Sequence, residues 1–350
     1  MWVEAGPRRQ TMGGFSTGAT SEAGKAVALA VVLSAVTAYI PFLGIFLMPV
    51  LPLPTAYVTF RRGLGVGLAT AFGAGVLSAA LTGLGNGVLT LLVTGIVGSL
   101  LGVALARKWG FTTTLLAVTV GGAVTFGTST AVAWFIAGLG FDQFGKLLDE
   151  SMVAASQMYI SMGMDPAVVE EASVQLREWF SMLPYLLPSI LGVAGLMLAS
   201  AALALVAVVF PHLGEKGAGD LAFSRFRLHW SASYGFIFGL ALLIFAGRFG
   251  GAAESARLVG LNLFLFFQTL FFIQGLALIH WFMTSRGYGT GTRVAMYTAA
   301  LVGQLMLQFT SWAGLLDTWF DYRKRFAVAT PPAGSVGPRG REGAGDQEEM

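Results

Sequence analysis

The chain has 350 residues, 55% of them hydrophobic and only 11% charged, with a net charge of +3 and no cysteine. About a quarter of a soluble domain is charged, and a soluble fold of this length could not cover its surface with so few charges. The missing thiols exclude disulfides, thiolate nucleophiles and thiolate metal sites, and the lack of short segments of alternating polarity argues against a β-barrel.

In chain order, residues 1–23 are polar and Gly-rich, with Arg8 and Arg9 placed like a signal-peptide n-region. The first apolar run starts well after them and leads into a proline turn without a small-residue cleavage site, so the segment reads as an uncleaved cytoplasmic tail. Apolar runs then follow at 25–40, 42–60, 63–82, 87–106, 112–139, 184–210, 234–246, 258–283 and 292–316. About 20 such residues cross roughly 30 Å of hydrocarbon as a helix. The expected fold is all-α: a polytopic transmembrane helix bundle of nine spans, or eight. Residues 24–210 form a six-span core with an extracytoplasmic hairpin at 141–182, and 211–230 form a cytoplasmic loop. Residues 231–326 hold three further spans and a basic end. Residues 327–350, rich in Pro, Gly and charge, read as a disordered tail.

Lys and Arg set the expected orientation. With the N-terminus in the cytoplasm, the inner loops hold Arg61, Arg62, Arg107, Lys108, Lys216, Arg225, Arg227, Arg286 and Arg293; the outer loops hold Lys146, Arg177, Arg248 and Arg257. This bias places the N-terminus inside a bacterial cytoplasmic membrane. The basic balance thus marks topology and not nucleic-acid binding. A count of nine conflicts with it at one point, since Arg323, Lys324 and Arg325 then fall outside. Either one span is re-entrant or miscounted, or 317–326 lies along the surface.

The hairpin differs in kind. It carries Asp142, Asp149, Glu150, Asp165, Glu170, Glu171 and Glu178, with apolar residues at helical spacing in two stretches: Leu148, Met152, Ala155 and Tyr159, then Val169, Leu176, Trp179 and Leu183. Asp165-Pro166 is a good helix start, with Asp as N-cap and Pro at N1. Two amphipathic helices follow, either a lid or docking cap, or solvated extensions of the adjoining spans.

Three features inside the spans could carry function. Small residues recur every four positions at Gly63, Gly67, Ala71, Gly75, Ala79 and Gly83, and again at Ala117, Gly121, Thr125, Ser129, Ala133 and Ala137. Such stripes let helix backbones approach closely, for packing within the chain or at a sliding or partner-facing surface. Pro49, Pro52 and Pro54 break the second span, since each removes a backbone donor; transporters place ligand sites at such breaks, and breaks also serve as bends. Polar side chains gather in the last two spans: Asn262, Gln268, Gln274 and His280, then Gln304 and Gln308. They form either a hydrogen-bonded seam or the lining of a pocket.

Other motifs are missing. There is no Walker A loop, no zinc-type spacing among His212, His229 and His280, and no Ser/His/Asp set. Apart from His280, the spans offer almost no ionisable residue for proton coupling. The chain reads as neither an enzyme nor a self-powered pump, and needs no cofactor or metal.

Several segments resemble the YybS-like family of polytopic bacterial membrane proteins: 267–277 (Phe267-Gln268-Thr269 to Leu276-Ala277), 314–325 (Gly314-Leu315-Leu316-Asp317 to Arg323-Lys324-Arg325), Ile40-Pro41-Phe42-Leu43-Gly44, Leu51-Pro52-Leu53-Pro54 and 62–68. That likeness covers 25–326 and brings no activity with it. More distantly, the first six spans are similar to the substrate-binding subunits of energy-coupling-factor transporters, with Ala26 and Ala30 at the spacing of their Ala-x-x-x-Ala motif. That resemblance implies a solute-binding or transport component for an unknown small molecule, energised by an external ATPase and coupling subunit. The alternative is a membrane scaffold or regulator working through partner proteins at the hairpin or at Arg323, Lys324 and Arg325.

Overall fold

The computed structural model describes residues 17–138, 141–215 and 223–326. The expected tails at 1–16 and 327–350, and Lys216 with most of the loop after it, lie outside the described residues. Among the described residues every regular element is a helix: α1 (Thr17–Tyr39), α2 (Pro41–Leu47), α3 (Leu53–Arg62), α4 (Leu64–Thr82), α5 (Leu84–Leu92), α6 (Ser99–Ala106), α7 (Phe111–Ala137), α8 (Phe141–Ser161), α9 (Pro166–His212), α10 (Ala232–Phe245), α11 (Ala253–Ser285), α12 (Thr290–Leu307), α13 (Phe309–Phe320) and α14 (Tyr322–Arg325). A π-helical segment, Val93–Gly98, joins α5 to α6, and 3-10 turns cover Phe223–Arg225 and Ala246–Ala252.

Among the described residues six helical stretches are long and apolar enough to cross a membrane, or seven if the bent pair α12–α13 is one span. Two of the nine runs are interrupted, and two others share one stretch. The prolines divide the second run into α2 and α3, each too short to cross alone. The seventh and eighth runs share the helical stretch Ala232–Ser285 but remain two arms of it, because the chain reverses at Gly250 (φ 54°, ψ −125°). There α10 folds back along α11, so that Gly235 meets the Phe267 ring and Gly239 meets Leu263. The ninth run bends by 99° between α12 and α13, at Gln308 in the left-handed region (φ 54°).

The contacts also fix which helix ends lie together. The end of α3 meets the start of α1, where Arg62 donates to both carboxylate oxygens of Glu22 at 2.8 and 2.9 Å. Arg61 pairs with Glu215 after α9 at 3.4 Å. At the opposite face Tyr39 donates to the Leu81 carbonyl, joining the ends of α1 and α4. α13 crosses closely over α11: Ser311 bonds the Gln268 carbonyl, and Gln274 bonds the Gly314 carbonyl and Thr318. Its end reaches the face where the Phe223–Arg225 turn lies, and Arg323 donates there to the carbonyls of Ser224 and Phe226. The basic terminus thus sits with Arg61, Arg62 and Arg227 on one face, which removes the conflict raised by a straight ninth span.

α9 has 47 residues. At about 1.5 Å per residue it is roughly twice as long as a bilayer core is thick, and its first turns pair with α8 beyond the opposite face. Asp165 caps it, accepting from Ala167 N at 2.9 Å, and Pro166 stands at its first position.

Candidate functional site

The small-residue stripe of α4 is spent inside the chain. Gly67 packs on Thr59 of α3, Gly75 on Leu91, where an added Cβ would come within 2.6 Å of the leucine Cβ, and Ala79 on Gly87 of α5. Gly63 takes a positive φ of 92° at the α3–α4 turn, and Ala71 is buried. On α7, Gly121 meets Leu100, Thr125 is buried and donates to the Leu92 carbonyl at 3.4 Å, and the Ser129 hydroxyl is buried. Ala26 and Ala30 face inward. Ala30 has no exposed surface and packs with Leu51, Ala74 and Val93; the outward residues of α1 include Leu29 and Val32.

The proline break faces the π-helical segment. A side chain at Gly98 would lie 2.8 Å from the Pro52 carbonyl, so the two irregular stretches fit closely. Pro52 and Pro54 are buried and Pro49 half-buried. Beside the break, between α1, α3 and the end of α9, lies a cavity of about 290 Å³. Leu29, Val50, Leu53, Pro54, Val209 and Phe210 line it, with Glu22 and Lys25 at one end. Its chemistry is apolar along its length and charged at the basic face.

The polar residues of α11–α13 serve as structural partners to backbone groups. Asn262 bridges a kink in α9: it donates to the Tyr185 carbonyl at 2.8 Å and accepts from Ser189 N at 3.0 Å. Those two groups would bond each other in an unbroken helix, and Pro184 and Pro188 lie in that turn. Gln274, fully buried, accepts from Leu228 N at 3.0 Å as well as donating to α13. Gln304 accepts from Ser311 N at 3.1 Å, capping α13 across the bend. Gln308 is the hinge, and Gln268 enters through its carbonyl. His280 bonds the Tyr297 hydroxyl at 2.8 Å. None of these side chains lines the cavity beside the prolines.

A charge cluster escaped the sequence reading. Asp317 has 0% exposure and stands 3.4 Å from Arg323. The contact is ionic only, since among the described residues neither carboxylate oxygen of Asp317 has a hydrogen-bond partner. Arg227 pairs with Asp321 at 3.0 Å, as does Lys324. Burial pushes the Arg323 guanidinium below its ordinary value, against the pull of Asp317. Burial also raises Asp321, but its bonds to Lys324 and Arg227 outweigh that and hold it below the ordinary carboxylate range. Arg323 is therefore an internal anchor, whereas Lys324 and Arg325 are exposed. Asp317 lies one residue past the apolar run at 292–316, which is why hydropathy passed over it; the signal present was an acid shortly before a basic run, at a spacing that no single helix would bring together.

The chain belongs to the family described as Predicted membrane protein (DUF2232), which matches residues 28–318. This agrees with the YybS-like resemblance and with an all-α polytopic bundle in contact with lipid. No curated protein and no solved structure matches the chain.

Proposed function

We propose that this protein is a solute-binding or transport component without an ATPase or catalytic activity of its own, and that its solute is amphipathic. The observation that carries this reading is the apolar cavity between the proline break and the end of α9, with exposed Leu29 at its lip and Glu22 and Lys25 at one end. An apolar body would lie along Leu29, Leu53 and Phe210, with a polar end near Glu22 and Lys25. Concave apolar sites with few polar groups at one end are the usual form of small-molecule sites. The clustering of Arg61, Arg62, Arg107, Lys108, Arg227 and Arg323 at one face supports a cytoplasmic N-terminus in a bacterial inner membrane. The resemblance to energy-coupling-factor binding subunits supports an external ATPase and coupling subunit as partners. A scaffold or regulator is the second reading, favoured by the exposed Lys324 and Arg325 beside a rigid anchor.

Purification in several detergents followed by mass spectrometry tests it. Wild type is expected to retain a small amphiphile and to bring ATPase subunits with it. Leu29→Trp, at the open lip of the cavity, is expected to lose the amphiphile while keeping its fold. A wild-type preparation that repeatedly carries neither would end the transport reading.

A further inference from the structure

The opposite face holds two more cavities. One, of about 540 Å³, lies between α8 and the first turns of α9, with Met152, Ala155, Tyr159, Val169 and Ala172 in its walls. The second, of about 610 Å³, lies between α7, α8 and α9 and reaches Trp134, Pro184, Leu187 and Ile190. Leu148 and Phe180 line both, so the two run into each other. Among the described residues the upper cavity holds no carboxylate and no basic side chain, and its side-chain polar atoms come from Ser151, Ser156, Ser173 and the Tyr159 hydroxyl. Asp149 and Arg177 flank the lower one and pair across it at 3.6 Å.

The hairpin is a single layer of two helices, held by that pair and by Ser156–Ser173 at 3.0 Å. One layer cannot cover its own apolar face, and a continuous apolar groove left to water is unfavourable. The lower end decides what is available to fill it. Leu187 and Ile190 belong to the apolar length of α9 and are exposed to the surroundings of the spans, so the groove opens onto hydrocarbon. Ser173 lies 11 residues before Pro184, about 16 Å of helix, a height that a long acyl chain anchored at the interface can reach.

We propose that the hairpin groove takes an acyl chain of a phospholipid from the leaflet on its side of the membrane. The chain enters between Leu187 and Trp134, passes Leu148 and Phe180, and ends between Ala155 and Ala172. The hairpin thereby acts as a site for partly withdrawn lipid, independent of the solute cavity at the other face.

The absence of cysteine makes a labelling test clean. Ala155→Cys (inside the groove) and Glu171→Cys (on the outer side of α9 at similar height) are each labelled with bimane. Each is reconstituted as the full chain in vesicles of phosphatidylcholine and phosphatidylglycerol, with or without phosphatidylcholine brominated along its acyl chains. Bromine is expected to remove most of the emission at Ala155→Cys and little at Glu171→Cys. Adding Ala172→Phe, which fills the groove with a side chain that does not itself quench bimane, is expected to restore the emission. Equal quenching at both positions means the hairpin lies flat on the bilayer and overturns the proposal. No quenching at Ala155→Cys overturns it as well, as does protection that rises with protein density, which assigns the groove to a second copy.

Discussion

The two halves of the bundle solve the same problem with different chemistry. From α1 to α7 the helices meet through glycine, alanine and small hydroxyls: Gly67 on Thr59, Gly87 on Ala79, Gly102 on Thr59, with Ser34, Asn86 and Thr90 bonding at 2.6 to 2.8 Å. From α9 to α14 amides and charges are added: Asn262 in the α9 kink, Gln274 between three segments, and the Asp317–Arg323 pair. The first half has two irregular stretches, the proline break and the π-helical segment, and they fit directly against each other, with Gly98 at the Pro52 carbonyl, so close approach is enough. The second has proline kinks, a 99° bend and an irregular segment at 226–230, all of which free amides and carbonyls. In a bilayer such groups need protein partners, and long polar side chains supply them.

The contrast predicts a graded response. Asp317→Ala leaves Arg323 without its buried counter-charge and is expected to be the most damaging, at about 3–5 kcal/mol. Thermal unfolding in detergent measures it, and pairing Asp317→Leu with Arg323→Met is expected to recover much of the loss. In the first half Gly87→Val forces α4 and α5 apart and is expected to cost about 1–3 kcal/mol. Gly85→Ala, where nothing lies within 4 Å, is expected to leave stability unchanged or slightly raised. An equal effect at both glycines would break the view that close approach holds this half. Gln274→Leu strands Leu228 N and removes the tie to the Gly314 carbonyl and Thr318, and is expected to cost about 1–2 kcal/mol, seen as faster amide exchange in α13.

The smallest effect is from pH. The folded-state pKa of Asp321 is held below its unfolded value by Lys324 and Arg227. Its contribution is therefore present above the ordinary carboxylate pKa and is lost as pH falls through the lower folded value. Asp321→Asn is expected to flatten the acid limb of the unfolding profile slightly, because the group is partly exposed and screened.

Local signals were legible where the physics is local. The Asp165–Pro166 start of α9 was readable because a cap involves only adjacent residues. The stripe at Gly67, Gly75 and Ala79 was readable because helical period puts those positions on one face. Which helix each glycine meets was not, and Gly67 and Ala79 turn to different neighbours. The polar residues Asn262, Gln274 and Gln304 were identified as a group, but their partners, Tyr185, Leu228 and Ser311, could not be. Two of these lie 46 or more positions away.

Composition and apolar run length by themselves determined that this chain is a helical membrane protein, because the cost of exposing backbone polar groups to lipid leaves a long apolar segment little choice but a helix. Hydropathy by itself could not count passes or assign the side of the C-terminus, since it is blind to direction. The tertiary structure supplied direction by turning α10 back at Gly250, bending the chain at Gln308 and bringing Arg323 to the Ser224 and Phe226 carbonyls. It also decided that Asp317 is buried and that an apolar cavity lies beside the prolines, because both depend on helices distant in sequence closing around the same place.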